Sequence, residues 1–388
     1  MPLAQWDDYL DLMRPAARQI EQSWAPQDER VRADLYRQLM MDLALGYMVY
    51  FQGDVDHPDF TPFLNSAFLL QPNPDDTYYY APADGNGTYR LSGERGSVHL
   101  LTLNVGWRMI GMVEEPGPRL NEYNIGAMVP LDGPIDILLS AERPAGYDGL
   151  WLEMSRDADF LLVRQRSYRW GEERDARLAI QRLDVETLKA PFDPERTNAA
   201  LRKAIGFAER LTRQWLGYLN RIKAKYPPNE FHFTGFAEFG GVAAQVYWEA
   251  IFELGEDEAL ILETALPERH FYWNVQLNDT IWNTVEYVWR QSSLNGAQAR
   301  LDDDGKFRAV IAASDPGVPN WLDTNGYRTG TMVGRWYDCS DHPQPSLKRV
   351  KLDELRRHLP AETPTVTAAE RRASLLQRSR GAQLRRRW

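Results

Sequence analysis

Apolar positions recur at spacings of three and four at the start of the chain. Trp6, Leu10, Met13, Ala17, Ile20 and Trp24 predict an amphipathic helix over residues 3–24, ended by Pro26. Val31, Leu35, Leu39, Leu43 and Tyr47 predict a second helix over 28–50. The period then falls to two. Short alternating runs predict strands at 78–81, 88–91, 97–105, 107–113, 122–128, 135–139, 149–154 and 160–168. Asp84-Gly85-Asn86-Gly87 reads as a hairpin turn between the first two. Helix returns at Asp193, a good N-cap, with Pro194 at the first helical position. Its buried stripe is Leu201, Ile205, Ala208, Leu211, Trp215, Leu219 and Ile222, and Pro227-Pro228 stops it. A further helix is expected over 239–252, weakened by Gly240-Gly241. Strands resume at 259, with Asp304-Gly305 as a tight turn, and run to 338. Beyond 341 come a Pro-rich stretch, a helix near 352–358 and a basic helical tail.

Many short strands separated by Gly and Pro, with no strand–helix–strand rhythm, predict a mainly β fold with added helices. The sheets are expected to be sandwich-like or jelly-roll-like. The pattern divides into a helical preface (1–52), a first β-sandwich region (53–190), a helical segment (191–256), a second β region (257–341) and a basic C-terminal tail (342–388). Both β regions use Asp-Gly turns and Pro-Asp or Asp-Pro loops, which suggests a duplication that no alignment of the two carries.

Composition adds limits. Aromatic residues make up 12% of 388, including 13 Trp and 18 Tyr, which suits broad sheet faces or a pocket for a flat, apolar ligand. Seven arginines and no acid fall within 371–388, so the remainder carries −17 of a net −10. An acidic body argues against nucleic acid as the partner. The tail is expected to lie on an acidic surface of its own or a neighbouring subunit. Cys339 is the single cysteine, so no intrachain disulfide is available, and no His or Lys adjoins it to activate the thiol. No stretch has the length of a membrane span and no signal peptide opens the chain, so a cytoplasmic protein is expected.

Three segments carry candidate chemistry. In Asn73-Pro74-Asp75-Asp76-Thr77-Tyr78-Tyr79-Tyr80, two carboxylates precede a strand on which Tyr78 and Tyr80 share a face. The segment is either a site or an Asx-type turn opening a strand. In His270 to Leu277, Phe271, Trp273, Val275 and Leu277 face one side. His270, Tyr272, Asn274 and Gln276 face the other, which is solvent or the lining of a polar cavity. Arg335 lies in a mostly apolar strand, so it needs a ligand anion or an acid such as Asp315 or Asp323. His99 is a core histidine or a general base. Trp273, Trp282 and Trp321 are candidate apolar walls. Asp302-Asp303-Asp304-Gly305 lacks the later glutamate of a calcium loop and reads as a turn. His57 has no second ligand at usable spacing, so no metal is expected, and no nucleotide or cofactor motif is present.

The run Asp315-Pro316-Gly317-Val318-Pro319-Asn320-Trp321-Leu322-Asp323-Thr324 resembles the family catalogued as domain of unknown function 1214. Glu258-Ala259-Leu260, Tyr272-Trp273 with Gln276-Leu277, Ser293-Leu294-Asn295, and Asn73-Pro74-Asp75-Asp76 with Tyr78 and Tyr79 resemble its pattern too. The resemblance spans about 60–340, and the region before the 1214-like part resembles the related 1254 family. It implies a β-sandwich with helices and names no substrate. The reading expected from these residues is a cofactor-independent acid–base enzyme (lyase, isomerase or hydrolase) acting on a bulky apolar or aromatic small molecule. Asp76 would be the base, Tyr78 the acid or oxyanion donor, His99 a further general base, and Arg335 the anchor for a carboxylate or a developing negative charge. Asn73, Tyr80, Tyr272, Asn274, Trp282 and Trp321 would bind substrate. The Asn73–Tyr80 and Pro319–Arg335 segments are expected to meet across one cavity. The rivals are a binding protein without turnover, and a structural subunit of a homo-oligomer joined through the helices or the tail. No membrane partner is expected.

Overall fold

The computed structural model describes residues 3–25, 27–64, 69–234 and 244–385. Among these, 18 strands form four sheets. The first sheet is ordered β1-β2-β8-β4-β5: β1 (Thr61–Phe63), β2 (Asp76–Pro82), β8 (Phe160–Arg166), β4 (Leu100–Gly106) and β5 (Arg119–Tyr123). The second is β7-β6-β3-β9: β7 (Leu150–Glu153), β6 (Pro134–Ser140), β3 (Tyr89–Glu94) and β9 (Arg177–Arg182). These two sheets pack face to face. Tyr79, Ala81, Leu101, Leu103, Leu161 and Val163 meet Leu91, Ile137, Leu139 and Ile180 in one core.

The same plan recurs nine strands later. The third sheet is β10-β11-β17-β13-β14, made of β10 (His232–Thr234), β11 (Gln245–Glu253), β17 (Thr329–Cys339), β13 (His270–Asn278) and β14 (Ser293–Asn295). The fourth is β16-β15-β12-β18, made of β16 (Trp321–Asp323), β15 (Phe307–Ala312), β12 (Glu258–Thr264) and β18 (Ser346–Lys351). Adding nine to each strand number turns the first sandwich into the second. The parallel pair β6–β7 recurs as β15–β16 among otherwise antiparallel pairs. The duplication suspected in the sequence is therefore present in the topology. The second core joins Trp248, Trp273, Val275, Leu277 and Trp336 to Leu260, Leu262, Phe307 and Ile311.

Several expectations are corrected. The helix expected over 239–252 is β11 from Gln245 onward; residues 239–243 lie outside the described ones. Gln245, Tyr247 and Glu249 alternate with Val246, Trp248 and Ala250, a strand period masked by helix-compatible Ala and Glu. Asp84-Gly85 is no hairpin, because β2 and β3 belong to facing sheets. Residues 107–113 form a loop, and β1, β9, β16 and β18 stand where loops or no strands were expected. The second sandwich thus draws on residues outside 257–341.

Helices α1 (Trp6–Arg18), α2 (Glu29–Tyr47) and α4 (Pro194–Lys225) lie against each other, while α3 (Ile125–Met128) is a single turn. Asp193 caps α4 by accepting from the Arg196 N–H. On α1, Trp6 and Leu10 of the expected stripe are exposed, while Tyr9 and Ala16 are buried. The Tyr9 hydroxyl donates to Asn198 at 2.7 Å. On α2 the buried stripe includes Asp34, Gln38 and Asp42 between Val31, Leu35 and Leu45. Burial pushes the Asp42 carboxyl up to about 8, against hydrogen bonds from Thr212 and Gln38. Among the described residues no helix is long and apolar enough to cross a membrane.

The tail forms α5 (Ala368–Leu384), held on its own chain. Arg371, Arg378 and Arg385 recur every seven residues and share one face. Arg371 pairs with Asp315 at 2.9 Å. Arg378 donates to the Tyr287 carbonyl at 2.7 Å and to Ser293 at 2.6 Å. Arg385 donates to the carbonyls of Pro74 and Asp75.

Candidate functional site

The sandwiches face each other through the first and third sheets, and the faces they present are polar. On β2 and β8 the cross-strand pairs are Asp76 with Arg166 and Tyr78 with Arg164. On β11 and β17 the counterparts are Gln245 with Tyr337 and Tyr247 with Arg335. Each sandwich thus contributes a Tyr–Arg pair at the same topological position. The Arg164 guanidinium lies 5.1 Å from the Tyr78 ring centre, and Arg335 lies 5.4 Å from that of Tyr247.

Between them opens a cavity of about 390 Å³, within the roughly 300–1,000 Å³ usual for small-molecule sites. Its polar end holds Asp76, Tyr78, Arg164, Tyr247 and Arg335. Its apolar wall is built from α4 with Phe207, Leu211 and Trp215, the 107–118 loop with Met109, and β8 with Phe160 and Leu162. Gln214 fastens that loop by accepting from the Gly111 N–H and donating to the Val113 carbonyl. Gly111 has φ +82, and a Cβ there would meet the Phe207 ring at 2.7 Å. Nine described non-glycine residues have positive φ, and four of them, Leu64, Leu70, Gln71 and Arg108, line this cavity. Such backbone strain gathers at ligand sites.

Arg166 grips Asp76 with both nitrogens, Nε to Oδ1 at 2.5 Å and Nη2 to Oδ2 at 2.8 Å, where both residues are buried. Burial alone would raise Asp76, but Arg166, Arg164 and Arg335 outweigh it and hold the carboxyl below its ordinary value. Burial, and then the Asp76 charge, pushes Tyr78 up to about 12. The Tyr78 hydroxyl lies 3.4 Å from Asp76 Oδ2. Arg335 donates to Gln276 Oε1 at 2.6 Å, Asn274 Oδ1 at 3.4 Å and the Gln71 carbonyl at 3.2 Å. Asp315 and Asp323, its expected partners, pair instead with Arg371 and Arg290.

Residues 255–341 match the family described as Protein of unknown function, DUF1214. That stretch supplies β12 to β17, and with them Tyr272, Asn274 and Arg335. An uncharacterized protein from Burkholderia cenocepacia, seen in a crystal structure, is 29% identical with a TM-score of 0.82, over 90% of this chain and 97% of that one. The VPA0106 protein from Vibrio parahaemolyticus is 12% identical with a TM-score of 0.47, over 88% of this chain and 100% of its own. No curated protein sequence matches the chain.

The matched stretch meets the first sandwich at the Asn73–Asp76 turn. The Asx turn read as an alternative exists: Asn73 Oδ1 accepts from the Asp75 N–H at 3.0 Å. The same Asn73 donates to the Tyr272 hydroxyl at 2.8 Å and accepts from Asn274 at 2.9 Å. Tyr272 donates to Asp75 at 2.5 Å. Asn73, Tyr272 and Asn274 therefore knit the two sandwiches behind the cavity and do not line it. Tyr80 stands behind the lining residues Phe63 and Phe160. Trp282 stands behind Trp215 and Tyr218, with ring centres 5.6 and 4.9 Å away.

Two candidates lie elsewhere. His99 is stacked on Phe271 at 4.2 Å at the seam, with its Nε2 on the Phe271 carbonyl; burial lowers its pKa. Trp321 packs with Val310, Ala312 and Val318 on the outer face of the fourth sheet. Of the Pro319–Arg335 segment, only Arg335 reaches the cavity. Arg164 and Arg166 were overlooked, although FLLVRQR carries the signal used for Arg335, a cation inside an apolar strand. Burial pushes the Cys339 thiol up to about 11, an inert state. Among the described residues no three His, Cys, Asp or Glu side chains gather as metal ligands.

Proposed function

We propose that the protein binds a bulky apolar or aromatic small molecule in the cavity between its sandwiches. The observation that carries this reading is the cavity itself, an aromatic and aliphatic wall facing a few convergent polar groups on rigid strands. Binding is favoured over acid–base turnover at Asp76. Both carboxylate oxygens are engaged by Arg166, and an acid held below its ordinary value is a weak base. Tyr78, at about 12, is a weak acid at neutral pH.

Acid–base turnover stands as a second reading, supported by Glu249. Burial pushes it up to about 7, against a hydrogen bond from Gln71 and the charge of Arg335. A carboxyl at that value suits proton transfer near neutrality, and its neighbour Gln71 lines the cavity.

The test uses N-phenylnaphthylamine, an uncharged probe whose fluorescence rises in apolar surroundings. Saturable binding of one probe per chain is expected, and Leu211→Trp, which fills the apolar wall, is expected to weaken it at least about tenfold. Absence of saturable binding, or equal binding by the filled variant, would contradict the reading.

A further inference from the structure

The polar end of the cavity presents guanidinium groups from both sandwiches. Arg335 is 3% exposed, yet its acceptors are two side-chain amides and one peptide carbonyl. Among the described residues no carboxylate lies within 4.0 Å of its guanidinium. Arg166 is answered by Asp76 and Arg371 by Asp315, whereas Arg95 and Arg385, like Arg335, are met by neutral acceptors; of these three only Arg335 lines the cavity. A guanidinium removed from water is costly unless an anion and well-placed hydrogen bonds restore what hydration supplied. Neutral acceptors restore only part.

Arg164 adds a second cation from the opposite sandwich, 3.9 Å from Asp76 Oδ2. Asp76 is already gripped at both oxygens by Arg166. Arg164 and Arg335 both line the cavity, one from each sandwich. Facing this end is the apolar wall of Phe207, Leu211 and Trp215.

Resting on the cavity reading above, we infer that the ligand is an anionic amphiphile, a single carboxylate on an apolar chain or ring system. The carboxylate seats against Arg335 and Arg164, and the apolar body lies along α4 and the 107–118 loop. Planar guanidinium groups match a carboxylate in shape as well as charge. A cationic head would meet like charge. A neutral polar head would leave Arg335 as it is. A phosphate group fits less well, because among the described residues no helix N-terminus lines the cavity. Asp76, and Glu249 two residues beyond Tyr247 on the same strand face, set a further limit by opposing a second negative charge.

The experiment is calorimetric titration of the full chain with decanoate, decanol and decylamine, each below its micelle-forming concentration. The three share one apolar body and differ in the head. Decanoate is expected to bind at least about tenfold tighter than decanol, and decylamine weakest. Arg335→Gln is expected to weaken decanoate by about tenfold or more and to change decanol by less than about threefold. Decanol binding as tightly as decanoate would overturn the anionic head and leave the cavity reading standing. Decylamine binding tightest would do the same. Binding by none of the three would overturn the cavity reading and this inference together. Should Arg335→Gln fail to fold, the head-group series on the parent protein decides alone.

Discussion

Asp76→Asn is expected to destabilise the protein by about 3–5 kcal/mol in urea denaturation, the usual cost of stranding one charge of a buried pair. Arg166 is fully buried and is stacked 4.0 Å from the Tyr272 ring centre, so it cannot reach water when its carboxylate is lost. The pair also joins the two halves of the chain, since Arg166 donates to Gln245 of the second sandwich at 3.1 Å. Arg335→Met is expected to cost less, about 1–3 kcal/mol, because the groups it strands are neutral. The order of the two variants is the informative result. If Asp76→Asn costs under about 1 kcal/mol, the pair does not hold the interface. Acid should act alike. Asp76 titrates below its unfolded value, so its contribution is present above about pH 4 and is lost as pH falls through the lowered folded value.

Ending the chain after residue 367 is expected to destabilise it by more than about 2 kcal/mol, since the buried charged hydrogen bonds of α5 are lost. The tail is rich in arginine and poor in apolar residues, yet its cations are fastened to the body. Arg371 and Arg385 are buried and Arg378 half-buried, tied to main-chain carbonyls and to Asp315. Arg385 grips the turn that presents Asp76, so ligand affinity should fall with stability. A thermal melt identical to the parent's would contradict the clamp.

The strand character of 270–277 was legible because its two faces differ so sharply: Trp273, Val275 and Leu277 enter one core while Tyr272, Asn274 and Gln276 face the other sandwich. The polar face belongs to neither solvent nor a simple pocket wall. It meets a second polar face, and period two alone does not distinguish these. Asp76, Tyr78 and Arg335 were legible as charged or hydroxyl groups within apolar strands, and all three line the cavity. The apolar wall was not legible as a wall. Phe207, Leu211 and Trp215 read as an ordinary helix stripe, and only the tertiary arrangement leaves a space against them. The doubled architecture was hidden because counterpart positions differ chemically: Asp76 answers to Gln245, and Arg166 to Tyr337. Geometry of the backbone was kept in both halves, while side chains diverged to complement each other across the seam.

The central claim is that the space between the two sandwiches holds a small molecule by its apolar body and its anionic head. A crystal structure of the protein grown with decanoate tests this most directly. The account predicts density for one molecule in the cavity, its carboxylate within hydrogen-bonding distance of Arg335 and its chain against Phe207 and Leu211. Decanoate bound elsewhere, with the cavity occupied by water alone, would contradict it.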